Sequence, residues 1–253
     1  MVFYHNLNPV ILDIGPVEIR WYGLMYVLSF IIVYLYARAA VKNKKLKLSL
    51  KELDDLMIWL VAALIIGARL FEIIFYNPTF YLQNPSEIIA IWHGGLSFHG
   101  GLAGVLIAGY AFSRKKKISF LQLCDIFVVP LALAQALGRI GNFINGELYG
   151  RITSLPWGVK FQSAEGFRHP SQLYEAAYDI VIFAFLFFQR NLKRPHGYFV
   201  AWFLILYPFF RFLTEFVREP EIMIGPLTMG QCLNIPMFIA GVYLLYSIKK
   251  QKY

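Results

Sequence analysis

Charged residues are scarce in this sequence, at 15% of 253 residues, whereas 58% of the residues are hydrophobic. A typical soluble domain is about a quarter charged, and a soluble chain this apolar would expose large hydrophobic patches. The low charge also excludes an intrinsically disordered chain. Only two cysteines occur, Cys124 and Cys232, which excludes a disulfide scaffold. The composition therefore predicts an integral membrane protein.

The positive charge of the chain is concentrated in short segments. The formal net charge is +9, and most of the lysines and arginines lie in four clusters, at 38–51, 114–117, 190–194 and 249–252. Short cytoplasmic loops of membrane proteins carry such clusters. The basic residues therefore indicate membrane orientation, and no nucleic-acid partner is predicted.

Seven apolar stretches lie between or beside these clusters, each near the length of about 20 residues that a helix needs to cross a bilayer. They are residues 20–38, 55–75, 94–113, 120–138, 171–189, 197–216 and 229–248. The pattern predicts an all-α polytopic membrane protein with the N-terminus outside and the C-terminus in the cytoplasm. We expect one domain over residues 1–253, with 139–170 as a small extracytoplasmic cap. The first twenty residues lack the basic start and apolar core of a signal peptide.

Arginine dominates among the basic residues outside the clusters. An arginine fork binds carboxylates and phosphates through two parallel hydrogen bonds, which lysine cannot do. A charge near the outer end of a span is costly and therefore usually functional. Snorkelling to the headgroups is an equally good interpretation for Arg20 and Arg69. The surroundings of Arg139 and Arg211 favour a functional site.

Arg139 lies in a glycine-rich polar segment, residues 138–150, with the sequence GRIGNFINGELYG. Glycines allow a ligand or another backbone to approach closely, and asparagine amides donate hydrogen bonds to anions. A small-residue packing seam between helices would explain the glycines. It does not explain an arginine, two asparagines and a glutamate together.

Arg211 shares one face of the sixth span with three other polar residues. Tyr207, Arg211, Glu215 and Arg218 fall within roughly an 80° arc of a helix. A structural ion pair through Glu215 is the alternative, but two guanidinium groups against one carboxylate leave a positive charge unpaired.

The fifth span also carries a polar face, formed by Gln172, Glu175 and Asp179. Polar groups within a span are expected to turn away from lipid, so this face is predicted to point into the protein.

His99 is the remaining candidate, in a stretch from Ile88 to Phe112 that has no charged residue. Its position between glycines leaves four interpretations open: general base, proton relay, metal ligand or buried side chain. A metal site would need further ligands at suitable spacing, and none is apparent. Ser97 lacks the Gly-x-Ser-x-Gly turn of a hydrolase.

Five motifs in this order resemble bacterial prolipoprotein diacylglyceryl transferases along nearly the whole chain. They are residues 21–26 (WYGLMY), 96–101 (LSFHGG), 138–150, 168–175 (RHPSQLYE) and 211–220 (RFLTEFVREP). The sequence departs from the family's pattern in a short segment between Gly150 and Arg168, and in His93 before the first glycine pair.

The resemblance implies transfer of a diacylglyceryl group from phosphatidylglycerol to the lipobox cysteine thiol of a prolipoprotein, in the bacterial cytoplasmic (inner) membrane. The products are a thioether and glycerol-1-phosphate, and no metal or cofactor is implied. Implied catalytic residues are His99, Arg139 and Arg211. Substrate binding is implied for Tyr22, Arg139, Asn142, Asn145, Glu147, Gly150, Tyr207, Arg211 and Glu215. Two alternatives are an anion or lipid transporter with the same pocket, which the lack of an internal repeat disfavours, and a structural membrane scaffold.

Overall fold

The structure, a computed structural model, describes residues 3–15, 17–220 and 222–250, and most of these residues are helical. Its α-helices are α1 (Trp21–Lys42), α2 (Leu50–Phe71), α3 (Pro78–Gln83), α4 (Phe98–Lys116), α5 (Phe120–Asn145), α6 (Ser171–Gln189), α7 (Tyr198–Thr214) and α8 (Met229–Lys250). A π-helical segment, Glu72–Tyr76, extends α2.

Five of the described helices are long and apolar enough to cross a membrane: α1, α2 with its extension, α5, α6 and α8. The shorter α7 is also apolar. Many large hydrophobic side chains on these helices are exposed, including Ile58, Ile66 and Tyr243, as expected for surfaces that face lipid. The helical architecture agrees with the predicted class of an all-α membrane protein.

The chain divides into two compact units, one formed by residues 37–123 and the other by residues up to 36 and from 124 onward. In the first unit, α2 and α4 pack along a glycine seam. A Cβ atom at Gly100 or Gly104 would lie within 3.0 Å of α2 backbone atoms. Because no side chain fits there, the two helices approach closely at these glycines.

The second unit contains α5, α6, α7 and α8. Val129 and Ala132 from α5, Ile182 and Leu186 from α6, and Phe203 from α7 pack into one buried hydrophobic cluster. This packing fixes the three helices that carry the polar motifs.

A carboxylate of α5 caps the start of α7. Asp125 accepts hydrogen bonds from the backbone nitrogens of Gly197, at 2.6 Å, and Val200, at 2.9 Å. A carboxylate at a helix N-terminus satisfies free N–H groups and matches the helix dipole. Asp125 therefore helps to set the position of α7, and with it that of Arg211.

Short strands join the connections of the second unit. β1 (Phe3–Tyr4) pairs in parallel with β4 (Val159–Lys160), β2 (Val10–Ile14) forms a hairpin with β3 (Val17–Arg20), and β5 (Met223–Ile224) forms one with β6 (Leu227–Thr228). Residues 139–145 of the expected cap belong to α5, and the irregular connection before α6 begins at Gly146.

Candidate functional site

Three arginines converge on one buried carboxylate, that of Glu175 on α6. Arg211 donates a hydrogen bond to Glu175 Oε1 at 2.9 Å, and Arg218 donates to the same oxygen at 2.7 Å. Arg139 Nε lies 2.5 Å from Oε2. The Glu175 side chain is 0% exposed, so these ion pairs are shielded from water. We call Arg139, Glu175, Arg211, Glu215 and Arg218 the arginine cluster.

Arg139 differs from its neighbours in how it is held. Its contact with Glu175 lacks the alignment of a hydrogen bond, and Glu175 Oε2 accepts none from the described residues. Within the same residues, no oxygen accepts a hydrogen bond from the Arg139 guanidinium. The fork of Arg139 is therefore held by charge and stays available to donate to an anion.

Glu215 is the second carboxylate of the cluster and is held by β6 and the start of α8. Its Oε1 lies 2.5 Å from an Arg211 nitrogen, and its Oε2 accepts a hydrogen bond of 2.6 Å from the Thr228 hydroxyl. A Cβ atom at Gly230 would lie 2.7 Å from Glu215 Cδ. Gly230 therefore makes room for this carboxylate.

A second cluster of polar side chains lies at the C-terminal end of α5 and just beyond it. Glu147 Oε1 accepts hydrogen bonds from Asn142, at 2.8 Å, and from Asn145, at 3.2 Å. Gln172 of α6 donates to the Glu147 backbone carbonyl at 2.5 Å. We call Asn142, Asn145, Glu147 and Gln172 the amide cluster. It adjoins the arginine cluster on two helices. On α5, Asn142 follows Arg139 by three residues, and on α6, Glu175 follows Gln172 by three residues.

Two tyrosines of the predicted set border these clusters. The Tyr22 hydroxyl lies 3.1 Å from that of Tyr26 and interacts with Asn142 and Glu147. Its ring packs at Gly141, where a Cβ atom would lie 3.0 Å from the ring. Tyr207 stacks on Phe203 and interacts electrostatically with Arg139 and Arg211.

Gly150 has a structural function beside the site. Its nitrogen donates to the His169 carbonyl at 2.8 Å, and it forms a β-bridge with Arg218. A Cβ atom here would lie 2.8 Å from His169 Cβ, so only glycine permits this backbone approach. Partial burial lowers the pKa of His169 below its usual value.

His99 lies in the other unit, in the first turn of α4 after the N-cap Ser97. Its side chain is exposed, and none of the described residues is hydrogen-bonded to its imidazole. The neighbouring Gly100 faces α2 in the packing seam. That glycine therefore serves helix packing.

The described partners of the Arg69 side chain all lie within its own unit. It donates hydrogen bonds to backbone carbonyls of Glu87, Ile88, Ala90, Gly94 and Gly95, and its guanidinium lies over the Tyr81 ring. Because the residue is buried, the snorkelling interpretation is wrong for it. Arg69 holds the loop that leads to α4.

The structure thus brings together nearly all the residues implied by the resemblance. Arg139, Arg211 and Glu215 lie in the arginine cluster, and three others lie in the amide cluster. Glu175, Arg218 and Gln172 belong to these clusters but were not among the implied site residues, although the helix face with Glu175 and Gln172 was expected to turn inward. That expectation is confirmed, because Gln172, Glu175 and Asp179 are all at most 1% exposed.

Comparison with known proteins identifies the family to which this chain belongs. The sequence model of the family described as prolipoprotein diacylglyceryl transferase matches residues 9–247. A phosphatidylglycerol–prolipoprotein diacylglyceryl transferase of Geobacter sulfurreducens is 44% identical, over 98% of each chain. Proteins with the same name from Bordetella parapertussis (44% identical, 96% of each chain) and Nitrosomonas europaea (45% identical, 97% of this chain and 91% of the relative) are similar along nearly their whole lengths.

Proposed function

The chain belongs to the prolipoprotein diacylglyceryl transferase family, and we propose that it transfers the diacylglyceryl group of phosphatidylglycerol to the lipobox cysteine of a prolipoprotein. In this reaction the thiol sulfur forms a bond to the diacylglyceryl carbon. The bond from that carbon to the phosphate oxygen breaks, and glycerol-1-phosphate leaves. The thiol proton is given up before or during the attack.

The observation that carries this proposal is the arginine cluster with the open fork of Arg139. Its ion-paired groups are three guanidinium groups and two carboxylates, which leaves one positive charge. A phosphodiester carries one negative charge, so the cluster is matched to it. Hydrogen-bond donors held in place within a water-poor site stabilise charge that develops on a leaving group.

Arg139 and Arg211 are assigned to the phosphate in this proposal. Arg139 offers donors without a competing hydrogen bond, and Arg211 is fixed by two carboxylates. As the phosphate gains charge on leaving, both guanidinium groups bind it more strongly. Tyr22 interacts with the amide cluster and Tyr207 with the arginine cluster. These tyrosines and the amide cluster contribute to substrate binding in this proposal, and Gly150 holds the neighbouring backbone.

The cysteine thiol is the nucleophile and attacks as its thiolate, whose formation a base or a positive field assists. His99 is proposed as the base. Its exposed imidazole and the lack of a described hydrogen-bond partner support this function, since a base must be free to accept a proton.

For the membrane arrangement we propose seven spans, adding α4 and α7 to the five long apolar helices. The basic residues in the last turns of α4 and α8 support a cytoplasmic location for these ends. The N-terminus then lies outside, the connection before α6 forms the cap of a single membrane domain, and the enzyme resides in the bacterial inner membrane.

The test is incubation of the purified protein with phosphatidylglycerol and a lipobox peptide. The peptide mass should rise by one diacylglyceryl group, and a peptide with serine in place of cysteine should stay unmodified. If the protein moved the lipid between vesicle leaflets without modifying the peptide, the transporter alternative would replace this proposal.

A further inference from the structure

The inward face of α6 carries a carboxylate that the arginine cluster does not use. Asp179 is 1% exposed, and neither of its oxygens accepts a hydrogen bond from the described residues. The hydroxyl of the neighbouring Tyr178 is also buried and has no hydrogen-bond partner among the described residues. Buried polar atoms in folded proteins are almost always hydrogen-bonded. Asp179 is therefore suited to a ligand that brings hydrogen-bond donors.

Asp179 lies close to the groups assigned to the phosphate. It follows Glu175 by four residues, so it is about 6 Å further along the helix axis and on the same face. Arg139 from α5, Arg211 from α7 and Glu175 from α6 act on it electrostatically, and Tyr178 and Tyr207 also interact with it. The unused acceptor thus lies about one helical turn along α6 from Glu175, the carboxylate that pairs the arginines assigned to the phosphate.

The position and the chemistry together define the ligand group. In a phospholipid the phosphate joins the diacylglyceryl group to the headgroup, so the headgroup lies within a few ångström of the phosphate site. The group attached to the phosphate must then donate hydrogen bonds to a carboxylate. A glycerol headgroup offers two neutral hydroxyls as donors, and these match the two unpartnered oxygens of Asp179.

We propose that Asp179 binds the two hydroxyl groups of the phosphatidylglycerol headgroup and thereby selects this lipid. The inference rests on the proposed transferase function, since that function supplies the lipid. It assigns selection of the headgroup to α6 and binding of the phosphate to Arg139 and Arg211.

The experiment compares two donor lipids with a lipobox peptide as acceptor. Phosphatidylglycerol carries both headgroup hydroxyls, and phosphatidylpropanol carries neither. For the wild-type protein, kcat/KM with phosphatidylglycerol should exceed that with phosphatidylpropanol by at least about tenfold, as expected for a hydrogen bond to a charged group.

The decisive variant is Asp179→Asn, which keeps the shape and removes the charge. The preference, which is the ratio of kcat/KM for the two lipids, should shrink to a few-fold because one neutral acceptor remains. Glu52→Gln is the matched control, because Glu52 pairs with Lys116 in the other unit. It should keep the full preference.

Two results would overturn the inference while leaving the transferase function intact. One is an equal rate of the wild-type protein with phosphatidylglycerol and phosphatidylpropanol, which needs no variant. The other is an unchanged preference in a folded Asp179→Asn protein. If the wild-type protein modified no peptide with any of these lipids, the proposed function would fail and the inference with it.

Discussion

Replacing Glu175 with glutamine removes one negative charge from the centre of the arginine cluster and keeps the side-chain volume. In the native protein, three guanidinium groups face two ionised carboxylates. In Glu175→Gln they face one. Since Glu175 is 0% exposed and Arg218 only 10% exposed, water cannot replace the lost interaction.

The cost follows from this burial. Removing one partner of a buried ion pair destabilises a protein by about 3–5 kcal/mol, because it leaves an uncompensated buried charge. For a chain of this size each kcal/mol lowers the melting temperature by about 2–4 °C. We therefore expect a drop of about 6–20 °C for Glu175→Gln, measured by thermal unfolding of the purified protein in detergent.

Substrate should oppose this loss. A phosphodiester bound by Arg139 replaces part of the missing negative charge, so phosphatidylglycerol in the micelles should raise the melting temperature of Glu175→Gln more than that of the wild type. A neutral diacylglycerol should not do so.

Glu52→Gln again serves as the control, because it also breaks an ion pair but a solvent-accessible one with Lys116. Such pairs contribute little to stability, and this variant should melt close to the wild type. If Glu175→Gln melted like Glu52→Gln, Glu175 would not be the anchor of the cluster, and the reasoning from its burial would be refuted.

Four further outcomes are expected. Reporter fusions after residues 114–117 and within residues 151–168 should lie on opposite sides of the membrane, and a shared side would contradict seven spans. Arg139→Lys keeps the charge but loses the fork, so transfer should fall severely; full activity in a folded variant would remove this residue from the site. His99→Gln should lose about a hundred- to ten-thousand-fold in rate together with the limb of the pH–rate profile that reports its ionisation, whereas an unchanged profile with a modest loss would indicate a structural function. Gly230→Val should displace the buried carboxylate beside it and lower both stability and activity, and wild-type values of both would show that this carboxylate is not held from α8.

Composition and charge distribution determined the class of this protein. A chain with so few charges and so many apolar residues must expose its hydrophobic surface to lipid, whatever its exact packing. Helical periodicity was also sufficient to place Gln172, Glu175 and Asp179 on one inward face, because the angular step of a helix depends on the backbone alone. The number of spans depends on more than composition, since five of the described helices are long and apolar enough to cross a membrane and α7 is shorter.

Only the tertiary structure decided which charges meet. Arg139, Glu175 and Arg218 lie on different segments, 36 or more residues apart, and no local pattern indicates that one carboxylate would hold all three arginines of the cluster. The same holds for Arg69. Its sequence context would be the same whether its side chain faced lipid headgroups, a ligand or a loop. Its partners are backbone carbonyls, which every residue possesses, so residue types carry no signal for them. Periodicity along one helix is a property of the backbone, whereas pairing between helices depends on how the chain packs, and that is why the fold was needed to define the site.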